Sequence, residues 1–161
     1  MIKITLNHTQ AVNSLQKIAN QLEQPRRLYG ILGETLKKIH TARFKAEQDP
    51  DGNNWKPLAG STLALKRKRG KSTKILRQDG YLADKTAYNV TSDNVEFGSQ
   101  EVYARLHQFG GNAGRGKKVA IPARPWLGVG DKDEQLLLRK AEWHLGQIIG
   151  RMGKSPLKIK F

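Results

Sequence analysis

The sequence predicts an α+β fold: an antiparallel sheet packed by N-terminal and C-terminal helices, with a mobile basic loop. Three observations predict it. Apolar residues recur at helical spacing near both ends, at Val12, Leu15, Ile18, Ala19 and Leu22 and again at Leu137, Ala141, Leu145 and Ile148. Apolar and polar residues alternate on either side of a T-S-D-N turn, at Tyr88 and Val90 and then at Val95 and Phe97, which reads as a β-hairpin. Residues 66–77 carry seven Lys/Arg and no acid, so like charges repel and little is available to bury.

The elements follow in order. Ile2, Ile4 and Leu6 alternate with Lys3 and Thr5 and predict a short strand. Asn7 or Thr9 then caps the first helix. Pro25 starts a second, where its missing N–H costs little. Leu28, Ile31, Leu32, Leu36, Ile39 and Ala46 form its apolar stripe. Gly30 and Gly33 interrupt that stripe, each weakening the helix by roughly 1 kcal/mol relative to Ala. They mark either close packing or a frayed start.

Residues 49–60 are a turn-rich loop around Trp55, and Ser61 caps a short helix, S-T-L-A-L. Asp79-Gly80 turns the chain into the hairpin, with Leu76 and Leu82 anchoring its start in the core. Residues 101–109 predict a short helix with Val102, Leu106 and Phe109 on one face. Residues 110–118, with four glycines, an arginine and two lysines, predict a flexible basic loop, and residues 119–121 a strand ended by Pro122. Asp131 and Glu134 have the spacing of a capping box for the last helix, and Gly150 is its expected stop. Residues 1–150 thus form one domain, and residues 151–161 a basic C-terminal tail.

Composition narrows the function. The chain has 161 residues, enough to bury a core, but only 37% are apolar. Mean hydropathy is −0.63. No apolar run approaches the ~18 residues needed to span a bilayer, and the first ten residues lack the apolar centre of a signal peptide. A cytoplasmic setting and no membrane partner are expected. The absence of cysteine excludes disulfides, thiolate catalysis and cysteine-based zinc sites. The net charge of +15, from 29 Lys/Arg against 14 Asp/Glu, favours acidic partners, either nucleic acid or an acidic protein surface.

The motifs that approach known chemistry each fail at a defining position. Residues 111–118, G-N-A-G-R-G-K-K, nearly spell a phosphate-binding loop, but Lys118 stands where Ser or Thr holds the metal and Pro122 breaks the segment that follows. Residues 49–54, D-P-D-G-N-N, echo a calcium loop, yet Asn54 replaces its glycine and Gly60 its bidentate glutamate. None of His8, His40, His107 and His144 stands four residues from another, and no isolated carboxylate pair marks an acid–base site. The expectation is therefore no enzyme activity and no cofactor.

Polyanion binding is the strongest signal that remains, with Lys66, Arg67, Lys68, Arg69, Lys71, Lys74 and Arg77 as candidates. No aromatic residue lies between Trp55 and Tyr81, so a stacking platform for single strands is missing. Any DNA contact would be nonspecific, and a basic arm docking on acidic subunits reads equally well.

Five motifs in order carry a family resemblance: Trp55-x-Pro-Leu58, Ile75-Leu-Arg77-x-x-Gly80-x-Leu82, Gly98, Tyr103-Ala-x-x-His-Gln-Phe-Gly110 and Pro122-Ala-Arg-Pro-x-Leu-Gly128. Across residues 5–150 the chain resembles the phage virion morphogenesis family, the tail-completion proteins of Mu-like and related tailed phages. The resemblance implies a structural α+β protein, from a phage or a prophage, acting late in tail completion or head–tail joining. It implies a homo-oligomer, a ring of six copies in related proteins, meeting other tail or neck proteins in the host cytoplasm and reaching the virion tail. Pro122 and Pro125 stiffen the backbone around Arg124, which lowers the entropy lost when a partner orders it. Tyr103, His107, Gln108, Phe109, Arg115, Lys117, Lys118, Arg124 and Trp126 are the candidate subunit interface. Pairing of Arg124 with an internal acid is the competing reading.

Overall fold

The computed structural model describes residues 25–152 and the helical positions 12, 13, 16, 19 and 20, with backbone alone at 151 and 152. The expected strand at 2–6, its helix cap, Leu15, Ile18, Leu22 and the tail from 153 onward lie outside the described residues.

Helix α1 spans Arg26–Ala46 and is preceded by Pro25 as expected. Its inner face is Gly33, Thr35, Leu36, Ile39, His40, Arg43 and Phe44. Glu47 ends the helix in the left-handed region, at φ 58°. That conformation costs a non-glycine residue roughly 1 kcal/mol. Two bonds offset it: the Glu47 carbonyl accepts from the Trp55 N–H at 2.9 Å, and its carboxylate from the Ile75 N–H at 2.6 Å.

The predicted hairpin is present. Strands β1, Ala87–Val90, and β2, Val95–Gly98, pair antiparallel with Tyr88 opposite Phe97. Both strands pack on α1. Gly33 is a site of close packing: a Cβ there would collide with the Tyr88 ring, whereas Gly30 faces open space.

The sheet is divided. A second two-stranded ribbon joins β3, Gly111–Ala113, to β4, Val119–Ile121, with Gly111 opposite Ile121. Residues 110–118 read as loop because Gly and Asn are poor strand formers. Pairing with β4 overrides that preference.

Helix boundaries also shift. Helix α2, Gly60–Lys68, starts one residue before Ser61, has no side-chain cap and runs into the basic tract. The expected mobile loop is thus helical at its start. A short helix α3, Tyr81–Asp84, follows Gly80, which takes φ 84°. Helix α4 spans only Ala104–Phe109, so Val102 precedes it and is 94% exposed, while Phe109 is 73% exposed. Ala104 and the half-buried Tyr103 make the inner contact instead. Helix α5, Asp131–Met152, continues through Gly150. Asp133, not Glu134, reaches back to its start, accepting from the Gly130 N–H at 3.2 Å, because Gly130 rather than Asp131 is the capping position. Its stripe, Leu137, Ala141, Leu145 and Ile148, is half-buried. Helix α5 packs against α1.

The core gathers Phe44, Trp55, Leu82, Ala83, Ala104 and Trp126, bordered by Ile75, Leu76, Tyr103 and Leu127. Both indoles are satisfied as buried N–H groups must be: Trp55 donates to the Pro125 carbonyl at 2.8 Å and Trp126 to the Ala104 carbonyl at 3.1 Å. No helix among the described residues is long and apolar enough to cross a membrane.

Candidate functional site

Helix α4 holds residues 124–127, chiefly through one side chain. The Gln108 amide oxygen accepts from the N–H groups of Trp126 and Leu127, each at 2.9 Å, and its NH₂ donates to the Leu127 carbonyl at 2.8 Å. An amide both accepts and donates, so it can mimic a strand neighbour for an extended segment. The Arg124 N–H adds a bond to the His107 carbonyl at 2.8 Å. Gly110 then turns the chain out at φ 73°, and a Cβ there would press on the Ala123 backbone.

Arg124 faces inward. Its Nε donates to the Lys56 carbonyl at 2.7 Å and its Nη2 to the Pro57 carbonyl at 3.0 Å, which fixes the Trp55 loop against residues 122–128. No carboxylate among the described residues pairs with it, so neither the partner-facing reading nor its competitor, an internal acid, describes its contacts there. Burial holds its guanidinium below the usual arginine range. His107 lies half-buried nearby, its ring edge-on to Tyr103 with centroids 5.9 Å apart. Its Nδ1 is buried and has no hydrogen-bond partner among the described residues. Desolvation first, and then the charge of Arg124, depress its pKa. Burial, then the Glu101 carboxylate, pushes the Tyr103 hydroxyl up to about 12.

Seven of the nine candidate interface residues fall into two groups, with Tyr103 and His107 half-buried between them. Trp126, at 2% exposure, and Gln108 hold the fold together from inside, where Arg124 also lies. Trp126 presents no surface to a partner; the aromatic core of α1 has recruited it. Phe109, Arg115, Lys117 and Lys118 are exposed. Residues 114–120 are exposed throughout, so the β3–β4 ribbon is an arm with almost no packing of its own.

The basic tract divides similarly. Lys66 is buried, and its ammonium donates to the Lys74 carbonyl at 2.8 Å and the Arg77 carbonyl at 3.5 Å. It folds the tract back on α2 and offers no free charge to a polyanion. Lys71 pairs with Asp79, Lys74 approaches Glu47 at 4.0 Å, and Arg77 grips both oxygens of Asp84 at 2.9 and 3.1 Å. Arg67, Lys68 and Arg69 are exposed and form no ion pair among the described residues.

A third cluster escaped the sequence reading. His40 is fully buried; its Nδ1–H donates to the Leu36 carbonyl at 2.7 Å and its Nε2 accepts from Arg43 at 3.3 Å. Both partners demand the neutral ring, and burial lowers its pKa to about 4. Arg43 also donates to the carbonyls of Trp126 and Gly128 at 2.9 and 3.0 Å. The signal was the spacing of Leu36, Ile39, His40 and Arg43, which puts all four on one helix face. Asp49, in the calcium-like stretch, closes a turn: its Oδ1 accepts from the N–H groups of Asp51 and Asn53 at 2.9 and 2.8 Å.

Comparison with known proteins agrees with the motifs. The model of the phage virion morphogenesis family matches residues 6–146. The Mu-like prophage FluMu G protein 2 of Haemophilus influenzae is 33% identical over 140 residues, covering 86% of this chain and 91% of the relative. The putative capsid assembly protein G of Escherichia phage Mu is 34% identical over 95 residues, 57% of this chain and 61% of the relative. Tail completion protein S of Escherichia phage P2 is 29% identical over 117 residues, 70% of this chain and 78% of the relative. No solved structure matches.

Proposed function

The chain belongs to the phage virion morphogenesis family, and from that premise we propose that it acts in tail completion or head–tail joining, as a ring of copies that grip one another through the β3–β4 arm. Its role as a phage structural protein follows from the family, which is not an enzyme class. The finer reading is supported by the likeness to a protein named for tail completion. The observation that carries the gripping surface is the unbroken exposure of residues 114–120, together with that of the Phe109 ring. An exposed strand edge and an aromatic side chain are the usual means by which one protein docks on another.

The charge sets a condition. Copies at +15 each repel, so a ring needs acidic neighbours, DNA or counterions between them. Other phage tail and neck proteins in the host cytoplasm are the proposed source of such neighbours. A second reading, nonspecific DNA contact, is favoured by Arg67, Lys68 and Arg69, which are exposed and form no ion pair among the described residues. One experiment separates the two. The chain has no cysteine, so Lys117→Cys creates a single attachment point for a photoreactive crosslinker. In an assembling lysate, adducts to a second copy or to another phage protein are expected. Adducts to DNA alone would overturn the ring.

A further inference from the structure

A cleft of about 500 Å³ lies between α2, the Gly80 turn and α4, with Leu58, Leu76, Leu82 and Tyr103 among its apolar lining and Lys66, His107 and Arg124 among its polar lining. Its polar side is unbalanced. Arg124 is only 5% exposed yet has no carboxylate partner among the described residues, and its Nη1 makes no hydrogen bond there. The buried Nδ1 of His107 likewise lacks a partner among the described residues. Lys66 is satisfied by carbonyls alone. The acid on the cleft wall, Asp79, is already engaged by Lys71, and Arg77 by Asp84. A buried guanidinium without a counter-charge and a buried ring nitrogen without a partner are both costly. Their presence on one cleft is what a preformed anion site looks like before its ligand arrives.

We propose that this cleft binds a carboxylate carried on an apolar body, namely an acidic side chain flanked by apolar residues on a segment of a partner assembly protein. The carboxylate takes the free Arg124 nitrogen and, once the His107 ring turns to meet it, the Nδ1–H, and the flanking apolar groups cover Leu58, Leu76 and Leu82. Two features favour this over a DNA phosphate. Arg124 is recessed, at 5% exposure, whereas a duplex presents its phosphates on a convex surface. The lining beside Arg124 is apolar at Leu58, Leu76 and Leu82, which suits an acidic side chain with apolar neighbours and not the hydrated sugar–phosphate chain. Only the kind of partner depends on the assembly reading. The site itself is open to a small probe.

The probe is 3-phenylpropionate, with 3-phenylpropanamide as the uncharged control, titrated into the full chain while the Arg124 Nε and His107 ring nitrogens are followed by NMR. Saturable shifts at both residues are expected with the acid and none with the amide. His107→Leu, which keeps the backbone carbonyl used by Arg124, should weaken binding about tenfold, the loss of one hydrogen bond to a charged group. Arg124→Met should weaken it at least as much. Since that variant also frees the Trp55 loop, the unaltered chain and His107→Leu decide the matter without it. No saturable shift, equal response to the amide, unchanged affinity in His107→Leu, or displacement of the acid from these residues by duplex DNA would each overturn the proposal. Failure here leaves the ring reading intact, and failure of the crosslinking test leaves this site intact.

Discussion

Arg43 and Asp133 meet at 2.5 Å although 90 residues separate them in the chain. The arginine side chain is 4% exposed and the carboxylate 19%. This pair ties α1 to the first turn of α5, and the same guanidinium holds the Trp126 and Gly128 carbonyls.

Removing one partner leaves the other charge stranded. Asp133→Ala is expected to destabilise the fold by ~3 kcal/mol, because the Arg43 guanidinium stays buried without its counter-charge. Replacing both, as Arg43→Met with Asp133→Leu, should recover part of that loss. Urea unfolding of the single and double variants measures the coupling.

His40 sets an acid limit. Its folded pKa of about 4 lies below the ordinary histidine value of 6.5, so the unfolded chain binds the proton more readily. Stability is then highest above pH 6.5 and falls as pH drops toward 4, by up to about 3 kcal/mol from this residue. His107, also depressed, adds to the fall in the same direction. In His40→Gln the slope of stability against pH across this window should flatten. An unchanged slope would mean that His40 is not the titrating group.

Two glycines of one helix should respond oppositely. Gly33→Ala drives a methyl into the Tyr88 ring and is expected to cost about 1–3 kcal/mol. Gly30→Ala meets nothing and should stabilise α1 by up to ~1 kcal/mol. Thermal unfolding of the pair checks both signs.

In the basic tract only part of the charge is free. Changing Arg67, Lys68 and Arg69 to Ser should lower the salt slope of DNA binding by about 2–3, while leaving stability within ~0.5 kcal/mol. Lys66→Ser should instead lower stability, since two carbonyls lose their donor. Filter binding across a salt series, with unfolding measured alongside, separates the roles.

These contrasts mark where the sequence is legible. The β1–β2 hairpin can be read because its alternation and its turn are local, and α1 because its apolar stripe runs over many turns. The β3–β4 ribbon is hidden because Gly111, Asn112 and Ala113 have little strand preference and pair only through a contact made after folding. Nothing local marks Lys66, Arg43 or Arg124 as buried, since isolated cations are rarely so. Each is buried because backbone carbonyls from distant segments converge on it, a convergence that no local spacing encodes. The five family motifs mix both kinds of residue: Trp126, two positions after Arg124, is core, while Phe109 of the helix motif is surface.

The central claim is that this chain joins parts of a phage particle. Deleting its gene from the inducible phage or prophage, and imaging the lysate by electron microscopy, tests that claim most directly. The expected result is that heads and tails form separately and infectious joined particles are missing until the chain is supplied from a plasmid. Normal, infectious virions from the deletion would contradict it.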